Sequence, residues 1–191
     1  MKLDKKLEPF RAAIEALQRL LEKQNNRGVI IGGVAVGFLG KPRFTADVDA
    51  MFLLSLQDIP QFLKLASKED IVPRIKDAEA FAGKTRVLLL KHAPSEMEID
   101  ISLGILPFEE QIVERGITKM VSGLSIRLPT PEDLIIMKAI AHRPKDLEDI
   151  RTIADKYPKL DVKRIKQWVT EFGEVLETPE LWETIKPLMG K

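Results

Sequence analysis

The stretch from Val29 to Leu54 constrains this chain more than any other. Val29-Ile30-Ile31 is a short β-branched run that meets Gly32-Gly33, and the apolar Val34-Ala35-Val36-Gly37-Phe38-Leu39 that follows reads as a buried helix starting on those glycines. Asp47 to Leu54 alternates at its start and then turns continuously apolar, as a strand near the middle of a sheet does. A strand, a glycine turn, a buried helix and a central strand in that order require helices packed on a sheet.

The flanking segments extend this pattern. Leu7, Phe10, Ile14, Leu17, Leu20 and Leu21 recur at helical spacing between Asp4 and Gln24, which predicts an amphipathic helix ended by Asn25, Asn26 and Gly28. Leu56 to Ser67 has helical periodicity, and a further helix is expected over Pro73 to Ala82, stopped by Gly83. Thr85 to Lys91 and Met97 to Leu103 are strand candidates forming a hairpin. After a short helix near Pro107 to Arg115, Thr118 to Val121 and Leu124 to Leu128 flank a Ser122-Gly123 turn. The rest is helical: Thr130 is a good N-cap with Pro131 in the first turn and Asp133 three residues on, Pro144 starts another helix, and Val162 to Leu176 and Pro179 to Leu188 form two more. The expectation is an α+β protein with about five or six strands, divided into a mixed-sheet core over residues 1–128 and a helical C-terminal subdomain over residues 129–191.

Composition narrows the function classes. With 30 Lys plus Arg against 29 Asp plus Glu, the formal charge of +1 provides no global attraction for a polyanion, so a long nucleic-acid footprint is not indicated. The absence of cysteine excludes a disulfide framework, a thiolate metal site and a Cys nucleophile, and is compatible with a reducing cytosol. No apolar run approaches the roughly 20 residues needed to span a bilayer, and the first ten residues lack the apolar core of a signal peptide, so a cytoplasmic protein without membrane contact is expected. His92 and His142 are too few and too separate for zinc and read as surface or loop residues. Trp168 and Trp182 read as packing anchors.

The chemistry sits in the constraining stretch. A strand running into Gly32-Gly33 at a helix start presents backbone N–H groups and the positive end of the helix dipole, which suits phosphate oxygens. Asp47 and Asp49 lie two apart on one strand, so both carboxylates share a face while Val48 points to the core. Such like charges repel by a few kcal/mol at an effective dielectric of about 20, a cost that a divalent cation removes, and oxygen-only ligands favour Mg²⁺ or Mn²⁺. A later strand carries Glu98 and Asp100 on one face. If it pairs beside the first, one of these completes the site and can bind a second metal or accept a proton.

Gly-Gly, a helix of about ten residues, Arg43-Phe44-Thr45, Asp47-Val48-Asp49 and a distant Asp100 resemble the signature of the DNA polymerase beta-like nucleotidyltransferase superfamily. The later blocks Leu128 to Lys138 and Arg143 to Ile150 are similar to those of the AbiEii-type toxin nucleotidyltransferases. The resemblance implies a mixed β-sheet nucleotidyltransferase core flanked by helices, and transfer of an NMP from an NTP to an acceptor hydroxyl on an RNA 3′ end such as that of tRNA, a protein or a small molecule. It also implies a role as the toxin of a toxin–antitoxin pair, with an antitoxin partner. Carried over by position, Asp47, Asp49 and Asp100 become metal ligands and catalytic residues, with Asp100 the candidate base. Gly32 and Gly33 become triphosphate contacts, Lys138 contacts NTP phosphates and Asp146 orients it or its neighbours. Arg43 and Thr45 either help hold the nucleotide or fix the loop. Gly33 departs from the Gly-Ser of many active members, although Gly-Gly is common in the toxin-like branch. A catalytically weak nucleotide-binding or regulatory protein of the same fold is the alternative reading; a purely structural αβ protein leaves the clustered acids unexplained.

Overall fold

A computed structural model describes residues 10–121 and 123–189. The chain separates into two compact units: one holds the described residues up to Val34 together with Arg43–Pro129, the other Ala35–Pro42 together with the described residues from Thr130 onward. The fold is α+β.

The first unit is built on a five-stranded mixed sheet. Its strands are β1 (Gly28–Ile30), β2 (Asp47–Leu53), β3 (Ile71–Pro73), β4 (Val87–His92) and β5 (Met97–Gly104), in the spatial order β1-β2-β5-β4-β3. All neighbours are antiparallel except β2 and β5, which pair in parallel at the centre of the sheet. A parallel pair needs a crossover connection, and here it consists of a short 3₁₀ turn, α3 (Ile59–Ser67), β3, α4 (Ala78–Thr85) and β4. On β2, Val48 and Ala50 are fully buried and Asp47 and Asp49 partly exposed, which is the period-2 alternation expected of the strand.

Helix α1 (Arg11–Lys23) buries Ile14, Leu17, Leu20 and Leu21, each worth about 1.5–3 kcal/mol in hydrophobic transfer. Asn25 and Asn26 follow it, both with positive φ, so the end falls where the sequence places it. Leu7 and the expected first turns of that helix lie outside the described residues. Gln18, buried on α1, accepts a hydrogen bond of 3.0 Å from the Arg127 backbone N–H, tying α1 to β7 (Leu124–Leu128). That strand pairs with β6 (Ile117–Val121) in a separate hairpin preceded by α5 (Pro107–Glu114).

Two local expectations need correction. No helix starts at Pro73: Ile71–Pro73 is an edge strand on β4, a position where proline's missing N–H faces no partner. Helix α4 begins later and runs through Gly83, ending where the Arg86 N–H bonds the Ala82 carbonyl and Arg86 turns to φ 59°. A mid-helix glycine costs about 1 kcal/mol, which the burial of Ala78 and Ala82 offsets. His92 is also not a surface residue; it closes β4, is buried, and bonds Ser95 Oγ through Nδ1 at 2.8 Å. His142, by contrast, is exposed.

In the second unit, α6 (Pro131–Ala141), α7 (Pro144–Lys156), α8 (Val162–Val175) and α9 (Leu181–Ile185) pack with the segment Ala35–Pro42, which carries most of α2 (Gly32–Leu39). Thr130 caps α6, its hydroxyl accepting the Asp133 N–H at 3.2 Å. Asp161 caps α8 through the Arg164 N–H at 3.0 Å, and the Arg164 guanidinium bonds buried Asp133 at 2.8 Å. Lys156 donates to the Phe38 carbonyl at 3.0 Å and also reaches that of Gly40. Trp182 is buried; Trp168 lies against Phe172 and Arg164.

Candidate active site

The parallel pairing of β2 with β5 sets Asp49 directly beside Asp100, and Asp47 beside Glu98. Because successive side chains alternate faces, all four acids emerge on one side of the sheet. Asp47, Asp49 and Asp100 each offer a carboxylate oxygen within 4.8 Å of the others. At that separation each pair of charges repels by about 3–4 kcal/mol at an effective dielectric of 20.

The turn beside them is shaped to bring backbone against carboxylate. Gly32 opens α2 directly after β1, with φ +62°, and a Cβ on it would stand 1.8 Å from Asp49 Oδ2. Only glycine fits there, in conformation and in space. The Ile31 N–H bonds the Asp49 carbonyl at 2.9 Å, which fixes the turn to β2. At Gly33 a Cβ would meet Thr45 Oγ1 at 2.7 Å. Thr45 is buried, and its hydroxyl donates to Asp47 Oδ1 at 2.9 Å. The hydroxyl in this region therefore comes from Thr45 rather than from a serine at position 33, and it holds a carboxylate. Arg43 reaches back over the turn: its Nη1 lies 3.4 Å from the Gly33 Cβ position and donates to the Phe44 carbonyl at 3.1 Å.

Asp100 pairs with a cation from outside the trio. Burial pushes its carboxyl above the usual carboxylate range; the Arg74 guanidinium offsets this only in part, and the charges of Asp47 and Glu98 add to the upward shift. Arg74 Nη1 lies 2.8 Å from Asp100 Oδ1 and 3.0 Å from Glu98 Oε2. The approach to Oδ1 misses hydrogen-bond direction, leaving that buried oxygen with a charge partner but no directed donor. Three acids drawn together and a glycine turn closed against one of them match what a small divalent cation needs. Its ligands at about 2.1 Å would stand about 3–4 Å apart, and the donors are all oxygen.

Lys138 and Asp146 belong to the helical unit. There the Lys138 ammonium is buried and held by Asp146 at 2.8 Å and by Asp149 at 3.0 Å, and Arg143 grips Asp146 from the other side at 2.6 Å. Burial raises the Asp146 carboxyl, but hydrogen bonds from Arg143 and Lys138 outweigh it and leave the group below its ordinary value. The residue that sequence reasoning missed is Arg74, hidden because the three-residue strand before it shows no periodicity and its Pro73 reads as a helix start.

No curated protein matches this chain. Among solved structures, an antigenic nucleotidyltransferase-like protein from Paracoccidioides brasiliensis aligns over 94% of this chain and 93% of its own, with 19% identity and a TM-score of 0.56. The antibiotic-resistance factor ANT(2″)-Ia, solved in solution, aligns over 91% and 97% with 11% identity and a TM-score of 0.58. At such identities the likeness establishes the fold, and function must come from the site. Residues 10–183, which include the acidic trio and the helices α6, α7 and α8, match the family described as "Nucleotidyl transferase of unknown function (DUF2204)", and this chain belongs to that family.

Proposed function

We propose that this protein is a divalent-metal-dependent nucleotidyltransferase that moves an NMP from an NTP to an acceptor hydroxyl. The observation that carries the reading is the convergence of Asp47, Asp49 and Asp100 beside the Gly32-Gly33 turn. A divalent cation bound by the trio would neutralise charge on the phosphates and acidify the acceptor hydroxyl. The chain's own residues supply the rest. The turn at the start of α2 offers backbone N–H groups to the triphosphate, Thr45 holds Asp47 in place, and the Asp100 carboxylate accepts the proton of the attacking hydroxyl as pyrophosphate leaves the α-phosphate. We read Lys138 and Asp146 as an ion pair inside the helical unit, where Lys138 also holds Asp149.

The acceptor is an RNA 3′ end, a protein side chain or a small molecule. The resemblance of Leu128 to Lys138 and Arg143 to Ile150 to toxin nucleotidyltransferases supports a cytoplasmic toxin of a toxin–antitoxin pair. Among the described residues no helix is long and apolar enough to cross a membrane. Calorimetric titration of ATP, GTP, CTP and UTP with Mg²⁺ tests the reading. Binding of at least one NTP that requires Mg²⁺ and disappears in the Asp47→Ala/Asp49→Ala double variant is expected; a folded wild type that binds none rejects it.

A further inference from the structure

Arg74 is unusual among the cations of the first unit. It follows the edge strand β3, its N–H bonds the Leu89 carbonyl at 3.1 Å, and its side chain extends past β4 to reach two acids on β5. It is only 21% exposed, so its charge is poorly screened. One guanidinium nitrogen thus serves Glu98, which stands opposite Asp47, and Asp100, which stands opposite Asp49. A divalent cation drawn to the trio must share Asp100 with this fixed positive charge.

We propose that Arg74 is a built-in counter-ion for the third carboxylate, which holds Asp100 in place in the metal-free protein and weakens binding of free divalent metal to the trio. This rests on the metal-site reading above and deepens it, since a site that takes up free cation poorly favours metal arriving with the negatively charged triphosphate. Arg74 is a positioning residue in this scheme; it acts through Asp100. The neighbouring Lys91 provides the contrast: it stands on β4 opposite Glu98 in the register, and its ammonium pairs with Glu96 at 2.6 Å. A general field effect would act through Lys91 as well as through Arg74, whereas competition for Asp100 singles out Arg74.

The test is titration with Mn²⁺ alone, followed by the electron paramagnetic resonance of the free ion, in wild type, Arg74→Gln, Arg74→Met, Lys91→Gln and Asp47→Ala. The methionine variant keeps a long aliphatic arm should glutamine disturb folding, and thermal melts verify that each variant is folded. Removing a unit charge in contact with a ligand should tighten Mn²⁺ binding about tenfold or more in the Arg74 variants, while Lys91→Gln changes it by less than about threefold. Unchanged or weaker binding in folded Arg74 variants, with wild-type binding still lost in Asp47→Ala, overturns the counter-ion role and leaves the metal site standing. Equal tightening in Lys91→Gln also overturns it, by reducing it to the general field. Mn²⁺ binding that survives Asp47→Ala overturns the metal site itself and this inference with it.

Discussion

At the scale of single residues, the glycine turn and Thr45 make claims that separate stability from metal affinity. Gly32→Ala forces a Cβ into Asp49 at φ +62°, so a loss of about 1–3 kcal/mol in denaturant unfolding is expected, together with loss of Mn²⁺ binding. Retention of both would mean that the turn and the acid are not in contact. Thr45→Val keeps the shape but removes the donor to Asp47. It should cost no more than about 1.5 kcal/mol in stability while Mn²⁺ affinity falls several-fold; an unchanged isotherm would reduce Thr45 to loop packing. The spacing of Asp47 and Asp49 on one strand was readable in the sequence because the period of a strand is fixed, whereas Gly32-Gly33 was readable only as a turn suited to phosphate and not as a turn closed against Asp49. The clash that excludes a side chain at position 33 was not readable, since it depends on how the Arg43–Ala46 loop folds back.

At the scale of elements, the helical spacing of apolar residues announced α1, the hairpin of β4 and β5 and the helix α8 were also expected, and proline and threonine marked the starts of α6 and α7. The short edge strand β3 escaped because three residues carry no period and its Pro73 mimics a helix start; with it escaped Arg74, whose role exists only once β3, β4 and β5 lie side by side. The ion cluster joining α6 to α7 distinguishes two roles for Lys138. If it is structural, Lys138→Met leaves Asp146 and Asp149 buried without their shared cation, at a cost of about 3–5 kcal/mol, and urea melts should show it. A lysine that contacts phosphate would instead leave the melt unchanged and abolish NTP binding.

For the whole molecule, acid should act in two steps. Burial holds His92 below its ordinary value of 6.5, so the unfolded chain takes up more protons in the window just under 6.5, and stability falls as pH falls through it. His92→Gln should flatten this first decline. Glu69, held low chiefly by its hydrogen bond from Lys23 with Arg19 adding at 2.5 Å, and Asp146, held low by Arg143 and Lys138, both stabilise the fold above the ordinary carboxylate range. Their contribution is lost as pH falls from that range through their depressed values. Asp100 runs the other way: its raised value favours the fold below the ordinary carboxylate range, a contribution lost as pH rises through the raised value. Chemical melts across pH should therefore show a shallow loss near pH 6 and a steeper one near pH 4; a flat profile down to pH 4 would contradict the burial of His92.

The parallel pairing at the centre of the sheet also dictates when the site comes into being. Asp47 and Asp49 leave the ribosome well before Asp100, and the whole crossover of α3, β3, α4 and β4 must be synthesised before β5 can dock against β2. Until then the nascent chain has no triad, because the third carboxylate has not yet been set beside Asp49. Docking β5 is also the moment at which the like charges of Asp47, Asp49 and Asp100 are brought together, and Arg74, already delivered by the crossover, is in place to offset part of their repulsion.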